Sequence, residues 1–165
     1  MKNKISINLE VSLVEIIFSI LIFAIAGVIM LYCFAAARFT QIKANDKVEA
    51  GSIIQSSAEM VKSFNSSSDM NEYFSENYEF KTINGNEIIY INYYDKNWSL
   101  CDEKNKIYLV TLKILNVSFI YGETKEITIT AEKAVPYPFI HNNNEKNNIF
   151  EIHTKKFYPS IEGRW

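Results

Sequence analysis

Residues 11–37 read VSLVEIIFSILIFAIAGVIMLYCFAAA. From Ile16 to Ala37 there is no charged side chain, and the run closes at Arg38. A helix needs about 20 mostly apolar residues to cross the ~30 Å hydrocarbon core of a bilayer, so this run is long enough to span one. Its apolar residues cover every face rather than one stripe, as in a helix surrounded by lipid or by other helices. The segment holds one acid, Glu15, a single turn inside its N-terminal end.

On either side of this run the composition changes. Residues 1–10 form a short polar tail with Lys2 and Lys4 as its basic residues, while Arg38, Lys43 and Lys47 follow the apolar run. Basic residues thus flank both ends, so charge alone does not orient the segment. Over residues 38–64 the pattern becomes striped: Phe39, Ile42, Val48, Ile53, Ile54, Val61 and Phe64 recur at roughly helical spacing among charged and polar residues such as Asp46 and Glu59. The same helix is expected to continue here and to lay one apolar face on a folded domain. Gly51 is a weak point in it, costing up to ~1 kcal/mol against alanine.

Residues 65–165 carry strand signals. Asn65 to Ser68 end the helix, and Asp69 with Glu72 resembles a cap for one or two turns carrying Met70, Tyr73 and Phe74. Alternation of period two begins at Tyr78, and Asn84-Gly85 marks a hairpin. A short strand is expected around Trp98, Leu100 and Asp102. Residues 107–121 form the longest strand candidate, with a change of phase that predicts a bulge near Ile114-Leu115-Asn116. A turn over residues 122–125 leads to a cleanly alternating strand at 126–132. Pro136 and Pro138 interrupt pairing, residues 141–148 (HNNNEKNN) form a polar loop, and residues 149–157 form a last strand. The fold class read from this order is α+β: a long N-terminal helix whose amphipathic half covers an antiparallel sheet. Aromatic content is high (10 Tyr, 11 Phe, 2 Trp), which favours a sheet because such rings fit pleated, half-buried surfaces.

Val11-Ser12-Leu13-Val14-Glu15, followed by an apolar helix containing Phe23-Ala24-Ile25-Ala26-Gly27, resembles the N-terminal signature of type IV pilins and pseudopilins. The resemblance covers roughly residues 1–37. It implies a basic leader over residues 1–10, Val11 as the first mature residue after cleavage by a prepilin peptidase, and Glu15 as the motif acid that aligns subunits in a filament. Glu10 stands where that family carries glycine, so two fates stay open: cleavage between Glu10 and Val11, or retention of the leader. The resemblance also implies a bacterial cytoplasmic membrane location with the C-terminal domain outside the cytoplasm, and other pilin or pseudopilin subunits as partners. The pilus, type II secretion and competence-type systems are equally compatible. Glu15 has local explanations too. Ser12 and Glu15 fit a capping box at a helix start, and a carboxylate at headgroup depth costs little. A signal peptide, with Ala35-Ala36-Ala37 as its cleavage site, is a further alternative to a retained anchor.

Little else points to chemistry. Net charge is −2, from 17 basic and 19 acidic residues, and no basic stripe with interleaved aromatics suggests nucleic acid. Five glycines form no phosphate-cradling loop. His141 and His153 lack metal-ligand spacing. Asp95, Asn97 and Ser99 imitate the start of a calcium loop, but Leu100 and Lys106 stand where its glycine and glutamate belong. Cys33 and Cys101 are expected to be unpaired buried thiols. No enzyme, cofactor or metal is expected. The function expected is a membrane-stored structural subunit of a filament; the alternative is a permanently anchored binding module using residues 123–125 and 141–148 as contact loops.

Overall fold

The computed structural model describes residues 9–135, 137 and 147–159, with side chains from residue 13 onward apart from Phe80. The architecture is α+β: a long apolar N-terminal helix, a short helix and a five-stranded antiparallel sheet. Two compact units divide between Ile42 and Lys43.

The first unit is helical. Helix α1 (Leu9–Ser63) is unbroken through it, and it includes a stretch long and apolar enough to cross a membrane. Large apolar side chains from Leu13 to Phe34 are exposed around the whole circumference. The hydroxyls within or beside this stretch are satisfied by the helix itself. Ser19 Oγ donates to the Glu15 carbonyl at 2.9 Å and Thr40 Oγ1 to the Ala36 carbonyl at 3.0 Å. Back-bonding of this kind removes the cost of an unpaired donor in an apolar medium.

The second unit begins with the remainder of α1. Asp46, Ala50, Ile54, Ala58 and Val61 are buried, a stripe at helical spacing that packs against one sheet face. Ile54 and Val61, both fully buried, fill the space between helix and sheet, with the small Ala50 and Ala58 beside them. Helix α2 (Ser67–Asn77) follows and buries Met70 and Phe74. Its cap is Ser66, whose hydroxyl accepts from the Ser68 N–H at 3.2 Å; Asp69 lies in the first turn rather than at the cap. The helix also runs longer than the one or two turns expected, because Phe74 anchors it between Phe64, Tyr73, Tyr78 and Tyr90 with ring centroids 5.3–6.3 Å apart.

The strands are β1 (Phe80–Asn84), β2 (Glu87–Tyr94), β3 (Tyr108–Phe119), β4 (Gly122–Lys133) and β5 (Asn148–Pro159). They pair in chain order. The first hairpin is expected at Asn84-Gly85, yet Asn84 pairs with Glu87, so the turn pair is Gly85-Asn86. Gly85 takes φ 60° at the first turn position, which glycine tolerates and other residues resist. The core face carries Tyr90 on β2, Val110, Leu112 and Ile114 on β3, and Ile127, Ile129 and Ala131 on β4.

The bulge expected near Ile114-Leu115-Asn116 is absent: β3 pairs without a break from Tyr108↔Lys133 to Phe119↔Gly122. The change of phase reflects a change of face instead. Beyond Ile114 the core side is closed by a polar pair, Lys125 Nζ donating to Asn116 Oδ1 at 2.6 Å, while Leu115 and Phe119 turn outward. The register does shift between Ala131 and Glu132, opposite β5. Residues 122–125, read as a turn, with 123–125 read as a contact loop, belong to β4, and Lys125 is buried. The strand expected around Trp98 reduces to one bridge, Tyr94↔Leu100, followed by a single 3-10 turn at Glu103–Asn105. Cys33 is exposed and Cys101 half-buried, and both thiols are free. The prolines at 136 and 138, and the polar loop apart from Asn147 and Asn148, lie outside the described residues.

Candidate functional site

The residues singled out by sequence lie at the start of α1. Glu10, Val11 and Ser12 are already helical, since α1 begins at Leu9, and Leu13, Val14 and Glu15 are exposed. A capping box needs its serine outside the helix, so Ser12 and Glu15 do not form one. Glu15 is therefore an exposed carboxylate in an otherwise apolar helical surface that extends to Phe34. In hydrocarbon such a group is costly at depth and is made tolerable by the membrane edge or by a positive neighbour.

A second constellation, absent from the sequence reading, lies in the second unit. Asp46 stands on the buried stripe of α1 and is 6 % exposed. Its Oδ1 accepts from the Tyr108 hydroxyl at 2.8 Å. Its Oδ2 accepts from the Tyr137 hydroxyl at 2.5 Å and from Lys133 Nζ at 3.2 Å. The Lys133 ammonium also lies over both rings, 5.2 Å from the Tyr108 centroid and 4.3 Å from that of Tyr137. Trp98 stacks on Tyr108 at 4.1 Å and 11° between planes. Strand ends and the segment after β4 thus converge on one helical carboxylate. The signal available in sequence was an aspartate in line with Ala50, Ile54, Ala58 and Val61.

Both carboxylate oxygens accept hydrogen bonds within the cluster. Burial, reinforced by the Asp46 carboxylate, pushes the Tyr108 and Tyr137 hydroxyls well above the usual tyrosine range, so both remain neutral donors at physiological pH. A carboxylate bonded to two hydroxyls and an ammonium is the arrangement that lets charge be buried at all.

The remaining candidates are separated in space. Asp95 Oδ1 accepts from the Asn97 and Ser99 N–H groups at 2.8 and 3.0 Å. That carboxylate shapes a tight turn in which Trp98 takes φ 60°, and does not begin a calcium loop. His153 is exposed on β5, with Nδ1 3.0 Å from Thr128 Oγ1 and Nε2 3.2 Å from Glu151. His141 lies outside the described residues. Among the described residues no three His, Cys, Asp or Glu side chains gather as a metal site. Burial, with the carboxylates of Asp95 and Asp102, pushes the Cys101 thiol up and keeps it from forming a thiolate.

Comparison of the chain with protein-family models, with curated proteins and with solved structures finds no match in any of the three.

Proposed function

We propose that this protein is a membrane-anchored structural subunit of the type IV pilin or pseudopilin kind, stored in a bacterial cytoplasmic membrane and able to pack its N-terminal helix against those of other subunits. The observation that carries this reading is the single carboxylate of Glu15, preceded by Ser12-Leu13-Val14 and followed by an uncharged apolar helix. A helix apolar on all sides gains most when surrounded by lipid or by like helices. Within a bundle, Glu15 is neutralised by a positive group on a neighbour. After cleavage that group is the amine of a neighbouring Val11; with the leader retained it is Lys2 or Lys4.

The test is Glu15→Gln and Glu15→Ala in the full chain, with protein levels matched to the wild type. Loss of co-purification with other subunits, at unchanged membrane content, is the expected result; unchanged co-purification removes the role. Intact-mass analysis of the N-terminus adds an independent readout. Loss of residues 1–10 with a methylated Val11 is the outcome expected of a processed subunit. Retention of Met1 without any co-assembling subunit leaves the permanently anchored binding module in its place.

A further inference from the structure

Three Asn-x-Ser tripeptides stand in this chain, beginning at Asn65, Asn97 and Asn116. That tripeptide is the acceptor signal for attaching an oligosaccharide to an asparagine amide on the surface of an exported protein. An enzyme that reads it has to reach two groups together, the asparagine carboxamide and the hydroxyl two residues on. The fold treats the three tripeptides differently.

Asn116 is half-buried within β3. Its N–H donates to the Asn86 carbonyl at 2.9 Å and its Oδ1 accepts from Lys125 Nζ at 2.6 Å, so both backbone and side chain are held. Asn65 is exposed, but its hydroxyl partner is Ser67, half-buried as the first residue of α2. At Asn97-Trp98-Ser99 the asparagine and the serine are both exposed, and no hydrogen bond among the described residues engages either side chain. The backbone of this turn is engaged instead. Asp95 Oδ1 accepts from the N–H groups of Asn97 and Ser99, and the Trp98 N–H donates to the Asp95 carbonyl at 3.1 Å. Trp98 lies against Tyr108, which anchors the bend from below. The turn follows β2 directly after Tyr94, so a large group can join Asn97 without opening the β2–β3 ladder.

We infer that Asn97 is the acceptor of an N-linked oligosaccharide. The co-reactant is an oligosaccharide carried on a lipid pyrophosphate. Asn97 Nδ2 attacks the anomeric carbon, and the new N–C bond forms as the C–O bond to pyrophosphate breaks. The lipid pyrophosphate leaves with the electron pair, and one Nδ2 proton passes to a base of the transferring enzyme. The inference rests on the proposed placement of the C-terminal domain outside the cytoplasm, and not on packing of the N-terminal helix.

The experiment isolates the full-length chain from the membranes of the cells that make it naturally and reads peptides spanning residues 97–99 by mass spectrometry. Sugar mass increments on Asn97 are the expected result. Asn97→Gln and Ser99→Ala should each abolish them, Ser99→Thr should retain them, and Asn65→Gln should leave them unchanged. These side chains are exposed and the backbone bonds of the turn survive each change, so the fold is not at stake. An unmodified Asn97, or a sugar that persists in Asn97→Gln, overturns the inference. Placement is read separately: in a chain with Cys33→Ser and Cys101→Ser, Lys96→Cys is offered a membrane-impermeant maleimide on spheroplasts. Labelling at position 96 with no sugar at Asn97 defeats the acceptor site and leaves the outward placement standing. Neither label nor sugar defeats both. Sugar at Asn97, with subunit co-purification unchanged in Glu15→Gln, leaves the acceptor site standing and removes the role of Glu15.

Discussion

Asp46 ties three distant side chains of the second unit to α1. Removing it leaves a lysine and two tyrosine hydroxyls buried without their acceptor. Asp46→Ala is therefore expected to destabilise the unit by about 3–5 kcal/mol, the range for breaking a buried charge pair from one side. Denaturant midpoints of the wild type and variant measure it. Tyr108→Phe removes one donor of three and should cost far less, about 1 kcal/mol. Tyr78 makes the fold sensitive to alkaline pH. Burial pushes the Tyr78 hydroxyl up to about 12, against the lowering effect of its 3.2 Å bond with Ser57. A raised folded value means that the stability is complete below the unfolded value near 10. It is lost as pH rises from about 10 through 12, because the unfolded chain surrenders the proton first. Equilibrium unfolding of the wild type should weaken across that window, and Tyr78→Phe should flatten its slope. Asp46 was hidden in the sequence because its partners lie 62, 87 and 91 residues away, beyond any local pattern.

Each half of α1 answers to a different environment. In the second unit Ile54 is fully buried between helix and sheet, so Ile54→Ala should cost roughly 2–5 kcal/mol. Ile25 is exposed in the first unit, and Ile25→Asp should leave that stability unchanged while impairing membrane insertion. Thermal unfolding and membrane fractionation of the two variants separate these effects. The helix was legible from sequence because 3.6-residue periodicity and length are local properties. The five strands were legible for the same reason, although the short one expected around Trp98 reduces to a single bridge. What periodicity does not determine is which side of a regular strand meets the core. At β3 the apolar residues beyond Ile114 belong to the outward face, and only the Lys125–Asn116 pair on the inner face shows why. The turn at Gly85-Asn86 was likewise displaced by one residue, since register depends on the partner strand as well as on the turn residues.

At the scale of the whole molecule, the sheet depends on the helix for cover. A fragment beginning near Thr40 retains the stripe from Asp46 to Val61 and should be soluble, monomeric and cooperatively folded. One beginning near Tyr78 uncovers Val110, Leu112, Ile127 and Ile129 together, and should aggregate. Light scattering and thermal melts of the two fragments decide the point; equal behaviour would show that α1 does not cover the sheet. The order of the strands has a consequence for how the chain is made. Because each strand pairs with the one synthesised just before it, no strand has to wait for a distant strand or be threaded back between finished ones. The covering helix precedes all five strands in the chain. A chain released end-first, from a ribosome or through a translocation pore, can thus pair each strand with its predecessor as it is delivered.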